Sequence, residues 1–267
     1  MSSSTAVRSR NVIKKVLAIE TAEGVGARVR RSIGSMNLRN LTPFLMLDHF
    51  HVSKGAGFPD HPHRGQATVT YMLEGTRWSY VAPVCHLDVA HGDNATASQE
   101  PSYQELNPNA IPTAYPNGPD GPIKVKVISG KSHGIESPVR PLGGCWFLHV
   151  TMERSGATMF QDIPLGWTAF VYLWKGAVKI GNDGPVHDSF HTLVLSNAEG
   201  ETGVQLTAVE DDTEFVLIAG EPLDQTVFQY GPFVMTNREE VQQTMLDYQL
   251  GRNGFEKANT WKSKIGN

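Results

Sequence analysis

Two histidines separated by one residue, His61 and His63, are the side chains of this sequence that are best spaced for chemistry. They stand just before the β-branched and apolar run 67–73, which predicts a strand. On an extended backbone, side chains at positions i and i+2 point to the same face, so both imidazoles can be directed at one point. Pro59 and Pro62 restrict the backbone, which helps to hold the two rings in place. Neutral imidazole is the commonest protein ligand for iron, zinc, copper and nickel, so this pair of histidines indicates a metal site. The alternative is a pair of surface histidines on a loop.

The other histidines are weaker candidates for ligands. His49 and His51 repeat the same spacing ahead of the first pair, and we interpret them as residues near the end of a strand. His187 and His191, in the second half of the chain, are too far apart in sequence to share one face of a strand at close range. We therefore interpret these two as non-ligands.

Composition limits the classes of protein to consider. A length of 267 residues predicts one large domain or two small ones, and 40% hydrophobic with 19% charged residues is ordinary for a folded soluble protein. A formal net charge of −4 gives no indication of direct nucleic-acid binding. No apolar run reaches the roughly 18 residues that predict a membrane span. Two cysteines, Cys85 and Cys145, are too few for a disulfide framework and favour a reducing compartment.

Short apolar runs separated by glycine turns predict a chain made mostly of strands. Such spacing is typical of a β-sandwich or a β-barrel. One helix is predicted over 238–250, because Asn237 can cap its start, two glutamates occupy its first turn and Gly251 can end it. The predicted strands are 12–19, 41–50, 67–73, 123–130, 145–152, 168–174, 177–180, 191–196, 204–208 and 215–220.

Six segments of the sequence carry a family resemblance: Glu23–Gly34, Gly57–Gly65, Val127–Gly130, Leu217–Leu223, Tyr230–Met235 and Asn253–Glu256. Together they resemble the pirin family of the cupin superfamily, over most of residues 12–267 apart from about 78–100. The resemblance implies an all-β bicupin, with two antiparallel, jelly-roll-like β-barrels and a C-terminal helix. It implies an N-terminal cupin over 12–130, incomplete at about 78–100, and a C-terminal cupin over 140–267 that includes the helix 238–250.

The resemblance also implies a function. It predicts an Fe(II) cofactor with His61 and His63 as the first two ligands, and an enzyme that can cleave a flavonol-like small molecule as a quercetin 2,3-dioxygenase. The alternative that it implies is a non-catalytic nuclear transcriptional co-regulator, which binds a transcription factor or a signalling protein. In either case we expect a monomer in the nucleus and cytoplasm that binds neither nucleic acid nor membranes directly.

One part of the family's pattern is missing from the sequence. The second ligand pair, a His-x-Glu, is absent, and Ala67 occupies the place of the acidic residue that usually follows His63. In place of the missing pair stands segment 78–97, which shows neither the period of a strand nor that of a helix. Either it comes from a mis-joined or frame-shifted gene, which the lack of pattern favours, or the chain is a divergent form that does not bind iron in the family's way. The substitute ligands in this segment are His86 and His91, with Asp88 or Asp93.

Overall fold

Contacts divide the protein into two compact units, each made from two pieces of the chain. The first, here called the 104–222 unit, combines Gln104–Pro222 with the chain up to Ala18. The second, the 19–103 unit, combines Ile19–Tyr103 with the chain from Leu223 onward. The structure is a computed structural model that describes residues 8–23, 27–53, 60–73, 81–90, 104, 106–139, 144–260 and 262, with the backbone alone at 27, 51–53 and 81–86.

These units differ from the continuous segments 12–130 and 140–267 that the sequence predicted. The first strand of the chain pairs with a strand beginning at His191, which places it in the 104–222 unit. The predicted helix 238–250 lies in the 19–103 unit. Each unit is therefore completed by a terminal piece of chain, a relation that sequence pattern alone does not reveal because strand pairing is non-local.

Strands make up nearly all of the regular structure, together with one α-helix in the part of the chain that is described. A short 3-10 helix also forms at Pro108–Ala110. In chain order the elements are β1 Val12–Leu17, β2 Ile19–Glu23, β3 Ala27–Arg31, β4 Phe44–Ser53, β5 Gln66–Met72, β6 Val81–Ala90, β7 Thr113–Ala114, β8 Ile123–Ser129, β9 Lys131–Ser132, β10 Ile135–Glu136, β11 Cys145–Met152, β12 Thr158–Asp162, β13 Thr168–Lys175, β14 Ala177–Ile180, β15 Val186–Asp188, β16 His191–Leu195, β17 Gly203–Ala208, β18 Thr213–Gly220, β19 Phe228–Tyr230, β20 Phe233–Met235 and α1 Arg238–Leu250.

The 104–222 unit contains a seven-stranded sheet, in the order β1-β16-β13-β18-β11-β8-β7, and a four-stranded sheet, in the order β12-β17-β14-β15. All pairings within these two sheets are antiparallel. In β8 the buried Ile123, Val125 and Val127 alternate with exposed lysines, as the sequence predicted. Strands β13 and β18 are buried on both faces and read as continuous apolar runs. Side chains from both sheets form one hydrophobic core.

The 19–103 unit contains a five-stranded antiparallel sheet in the order β2-β3-β4-β6-β5. The sequence analysis found no strand pattern in 78–97, and that interpretation was wrong for β6, which pairs with β4 on one side and with β5 on the other. The reason is burial. Leu87, Asp88, Val89 and Ala90 are all buried, so both faces of this end of the strand are enclosed and no polar–apolar alternation appears there.

The helix α1 confirms the sequence prediction at both ends. The Asn237 side chain accepts a hydrogen bond from the backbone N–H of Glu240 at 2.9 Å, and Gly251 adopts the left-handed conformation at φ 61°. The hairpin β19–β20 precedes the helix, and Phe233 of this hairpin packs against Tyr248. The all-β fold class with a C-terminal helix is confirmed. No helix in the described ranges is both long and apolar enough to cross a membrane.

Candidate metal centre

The structure brings His61 and His63 together on the segment that leads into β5. Their ring centroids are 4.7 Å apart, with the ring planes tilted by 45°, and both residues are exposed. The two imidazoles thus lie side by side just before the strand, where the sequence placed them. Two rings whose centroids are this close can each present a nitrogen to one ion, so the role of the pair as metal ligands stays a prediction.

Gln66, the first residue of β5, contacts the ring of His63. Its Nε2 lies against His63 Nδ1, and its Oε1 is a buried atom with no hydrogen-bond partner among the described residues. If His63 binds a metal through Nε2, its Nδ1 must carry the proton and donate it to an acceptor. The Gln66 carboxamide supplies that acceptor when it is turned to present Oε1 to the ring. Sequence reasoning missed Gln66, whose only signal was its place between His63 and Ala67.

No third metal ligand joins the pair in the described ranges, where no group of three or more histidine, cysteine or acidic side chains is arranged to hold an ion. Asp88, a predicted substitute ligand, is buried in β6 and accepts a hydrogen bond from Thr68 Oγ1 at 3.1 Å. Its backbone lies opposite Met46 and Thr68. Asp88 thus contributes to the sheet and is not brought into a group with the histidine pair.

The remaining predicted substitutes are only partly described. The backbone of His86 lies in β6, opposite Asp48 on one side and Thr70 on the other, but its side chain is outside the described set. His91 and Asp93 also lie outside the described residues. Asp48 is engaged by a bidentate ion pair, in which Arg31 Nε and Nη2 donate to its two oxygens at 2.8 and 2.7 Å.

The four remaining histidines that the sequence analysis weighed all occupy strands. His49 is buried in β4, and the backbone of His51 lies further along the same strand, opposite Pro83. His187 and His191 belong to β15 and β16, which lie in different sheets. Within the fully described range 144–260, neither belongs to a metal-binding group, and their interpretation as non-ligands stays a prediction.

His187 has an unusual environment within the 104–222 unit. Its backbone lies opposite Val178, the residue is 5% exposed, and its Nε2 has no hydrogen-bond partner within the described part of the chain. Burial lowers the pKa of His187, and the neighbouring positive charge of Lys15 lowers it further. The ring is consequently held neutral in the folded protein under conditions where an exposed histidine begins to take up a proton.

Comparison with known proteins settles the ancestry. The Pirin family model matches residues 26–80, and the model of the Pirin C-terminal cupin domain matches residues 147–254. The human protein named Pirin is 41% identical over 294 aligned positions, covering 97% of this chain and 99% of the human one. Pirin-like protein 2 of Arabidopsis thaliana is 40% identical, covering 99% of this chain and 92% of that protein.

The chain belongs to the pirin family. The alignment with the human pirin extends over 294 positions, more than the 267 residues of this chain, so that relative has residues with no counterpart here. The Pirin model match ends at residue 80, immediately before β6 begins at Val81. Both findings agree with the predicted loss of part of the family's pattern after residue 78.

Solved structures support the same fold. The structure of a quercetin 2,3-dioxygenase from Acinetobacter baumannii matches with a TM-score of 0.80 and 21% identity, covering 92% of this chain and 99% of that one. The bacterial pirin YhhW from Escherichia coli, in complex with nickel(II), matches with a TM-score of 0.57 and 13% identity, covering 79% and 99%. At these identities the likeness shows the fold alone.

The donor set can be tested against the metal that the family implies. Two adjacent imidazoles fit a divalent first-row ion such as Ni²⁺ or Fe²⁺ as two of its ligands. The described residues do not supply the carboxylate that completes the two-histidine, one-carboxylate set of many Fe(II) oxygenases. The pair therefore fits a partial metal site and does not, in the described part of the chain, complete an iron oxygenase site.

Proposed function

We propose that this pirin-family cupin binds a divalent first-row metal weakly through His61 and His63 and acts as a non-catalytic co-regulator. The observation that carries the proposal is the donor set, two exposed imidazoles 4.7 Å apart without a third protein ligand in the described ranges. With two protein ligands, most of the coordination sphere is left to water and the ion exchanges readily, because affinity depends on ligand number and geometry.

An oxygenase makes further demands on such a site. A bound ion supplies Lewis acidity and a template for substrate and O₂, provided that the protein fixes its geometry and encloses it in a dry cavity. Here the histidine rings are exposed to solvent, and their neighbour Gln66 contacts only one of them in the described contacts. A metal held in this way can report the metal status of the cell or alter the local surface, which suits regulation better than turnover.

The partner that we propose is a transcription factor or a signalling protein, met in the nucleus and cytoplasm by a monomer of this chain. The support for it is family membership together with the extensive buried core of the 104–222 unit, which forms a stable scaffold for protein contacts. Fe(II) is the ion that the family resemblance implies. Ni²⁺ is the better first probe, because imidazole sites generally bind it more tightly than Fe²⁺.

Metal titration of the full chain tests this proposal. Calorimetry with Ni²⁺, and with Fe²⁺ under anaerobic conditions, is expected to show one weak site per chain that the double variant His61→Ala/His63→Ala lacks. His133→Asn is the matched control, since His133 is an exposed histidine in the other unit whose left-handed backbone asparagine also tolerates. Binding that survives in the double variant, or is absent from the unaltered chain, would refute the metal assignment.

A second candidate function is a quercetin 2,3-dioxygenase. The specific observation in its favour is the likeness of fold to the Acinetobacter enzyme over 92% of this chain. Oxygen uptake and carbon monoxide release with quercetin decide between the two, measured on protein loaded with Fe²⁺ or Ni²⁺. Turnover that disappears in the double histidine variant would establish the enzyme and overturn the non-catalytic proposal, whereas metal binding without turnover supports co-regulation.

A further inference from the structure

Arg64 follows His63 directly, and its side chain is inserted into the C-terminal part of the 19–103 unit. The side chain is 16% exposed. Nη1 donates to Thr244 Oγ1 at 3.4 Å and lies 3.5 Å from Asp247 Oδ2, while Nη2 donates to the backbone carbonyl of Asn253. One guanidinium thus contacts both the helix α1 and the turn that follows it.

The Arg64 guanidinium also packs against an aromatic ring. The Arg64 guanidinium carbon lies 4.1 Å from the centroid of the Phe255 ring, a distance suited to a cation–π interaction. Phe255 is buried and packs edge-on against Phe233 and Tyr248, with centroid distances of 5.9 and 5.4 Å. We call the four residues Thr244, Asp247, Asn253 and Phe255 the Arg64 socket.

The backbone on either side of Arg64 is fixed by the same C-terminal region. Its N–H donates to the carbonyl of Pro232 at 3.2 Å, and its carbonyl accepts from the N–H of Val234 at 2.9 Å. The next residue, Gly65, has a positive φ of 77°, and a Cβ built there would stand 1.7 Å from the Val234 carbonyl oxygen. Only glycine fits this close approach.

Asp247 is itself held in place and charged. Its side chain is 5% exposed, and it accepts hydrogen bonds from Gln243 Nε2 at 2.9 Å and from Arg252 Nε at 3.0 Å. Burial acts to raise the pKa of Asp247, but these hydrogen bonds outweigh burial and leave the pKa below its usual value. The socket therefore presents a fixed negative charge to Arg64 near neutral pH.

We propose that the Arg64 socket is a positioning device, through which the C-terminal segment sets the direction of the His61 and His63 rings. The histidines precede β5 and have no strand of their own, so their direction follows the backbone that Arg64 and Gly65 anchor. Arg64 acts as a positioning residue, since it affects the two histidines through the backbone that connects them and not through a contact of its own side chain. This inference rests on the proposed metal binding at the pair.

The experiment compares Arg64→Lys and Asp247→Asn with the unaltered full chain. Lysine keeps the charge but cannot make the forked contacts of arginine, and asparagine keeps the shape of the aspartate without its charge. Both variants are expected to bind Ni²⁺ about 10- to 100-fold more weakly, the usual cost of removing a group that orients a ligand. Both should also show altered electron paramagnetic resonance of bound Cu²⁺ and faster hydrogen exchange over residues 60–66.

Arg238→Lys is the matched control, because Arg238 is an exposed arginine at the start of the same helix and is not part of the Arg64 socket. It is expected to leave Ni²⁺ affinity within twofold of the unaltered chain. If Asp247→Asn fails to fold, Phe255→Leu replaces it, with the same expected weakening. Wild-type affinity and Cu²⁺ spectrum in Arg64→Lys would overturn this inference alone, whereas an unaltered chain that binds no Ni²⁺ would overturn the proposed function as well.

Discussion

The ion pair between Arg31 and Asp48 gives a prediction whose size follows from its geometry. Asp48 is 3% exposed at its side chain and accepts two hydrogen bonds from Arg31, which joins β3 to β4 beside the backbone of His86. The aspartate holds the pKa of Arg31 above its ordinary value. Replacing Asp48 by Asn keeps the shape but removes the charge, so both charge-assisted bonds weaken or are lost.

Breaking a buried pair by removing one partner costs about 3–5 kcal/mol. The cost is reduced here because Arg31 is 21% exposed and keeps a second partner, Glu23, at 2.8 Å. We therefore expect Asp48→Asn to lower the free energy of unfolding of the 19–103 unit by about 2 kcal/mol. This value lies toward the lower end of what a hydrogen bond to a charged group contributes.

Hydrogen exchange of peptides from residues 27–53 measures this loss locally. That readout is needed because the five tryptophans of the chain are shared between the ranges of both units, so tryptophan fluorescence does not report on one unit alone. Glu20→Gln is the control, since Glu20 pairs with Arg28 at an exposed site and such pairs contribute at most about 1 kcal/mol. A loss in Asp48→Asn no larger than in Glu20→Gln would refute the view that burial makes this pair structurally important.

Three further predictions concern single side chains. Gln66→Leu, which removes the acceptor for His63 Nδ1, should weaken Ni²⁺ binding about 10-fold in calorimetry while leaving thermal stability nearly unchanged. Because burial lowers the pKa of His187, the unfolded chain binds a proton that the folded chain refuses at mildly acidic pH. The stability of the 104–222 unit should therefore fall as pH drops below about 6.5, and less so in His187→Gln, as followed by hydrogen exchange of peptides from residues 177–195. Arg10 is fully buried, and its guanidinium donates to the carbonyls of Trp167 at 2.6 Å and Pro164 at 3.0 Å. Arg10→Ala should therefore lower the free energy of unfolding by about 3 kcal/mol, measured by urea unfolding.

The parts of the fold that could be read from the sequence are those with local signals. β8 alternates apolar and basic residues, and α1 has a capping asparagine before it and a glycine after it, so both were predicted with nearly their observed bounds. The adjacency of His61 and His63 followed from their spacing. Features that depend on partners distant in sequence were missed. Two examples are the contacts of Arg64 with residues about 180 positions away and the pairing of β1 with β16.

Strand β6 bears on what segment 78–100 is. A stretch joined by error has no reason to match the sheet around it, whereas β6 pairs with β5 from Met72 to Gln66 without a register shift. Its Leu87 is fully buried, opposite Leu47 and Val69. A segment that supplies a core side chain at the right register behaves as a folded part of a divergent chain, which shifts the balance away from the mis-joined gene that the missing pattern favoured.

Leu87→Ala tests that argument. Removing a buried leucine side chain costs about 2–5 kcal/mol when its neighbours cannot close the cavity. If β6 is an integral central strand, hydrogen exchange should accelerate in its neighbours β4 and β5 as well as in β6 itself, while the 104–222 unit keeps its protection. Thr21→Ala is the control, since Thr21 lies exposed on the edge strand β2, which does not pair with β6. Unchanged protection of β4 and β5 in Leu87→Ala would show that the sheet does not depend on this segment, and sequencing the transcript from Thr76 to Tyr103 would then be expected to reveal a different reading frame.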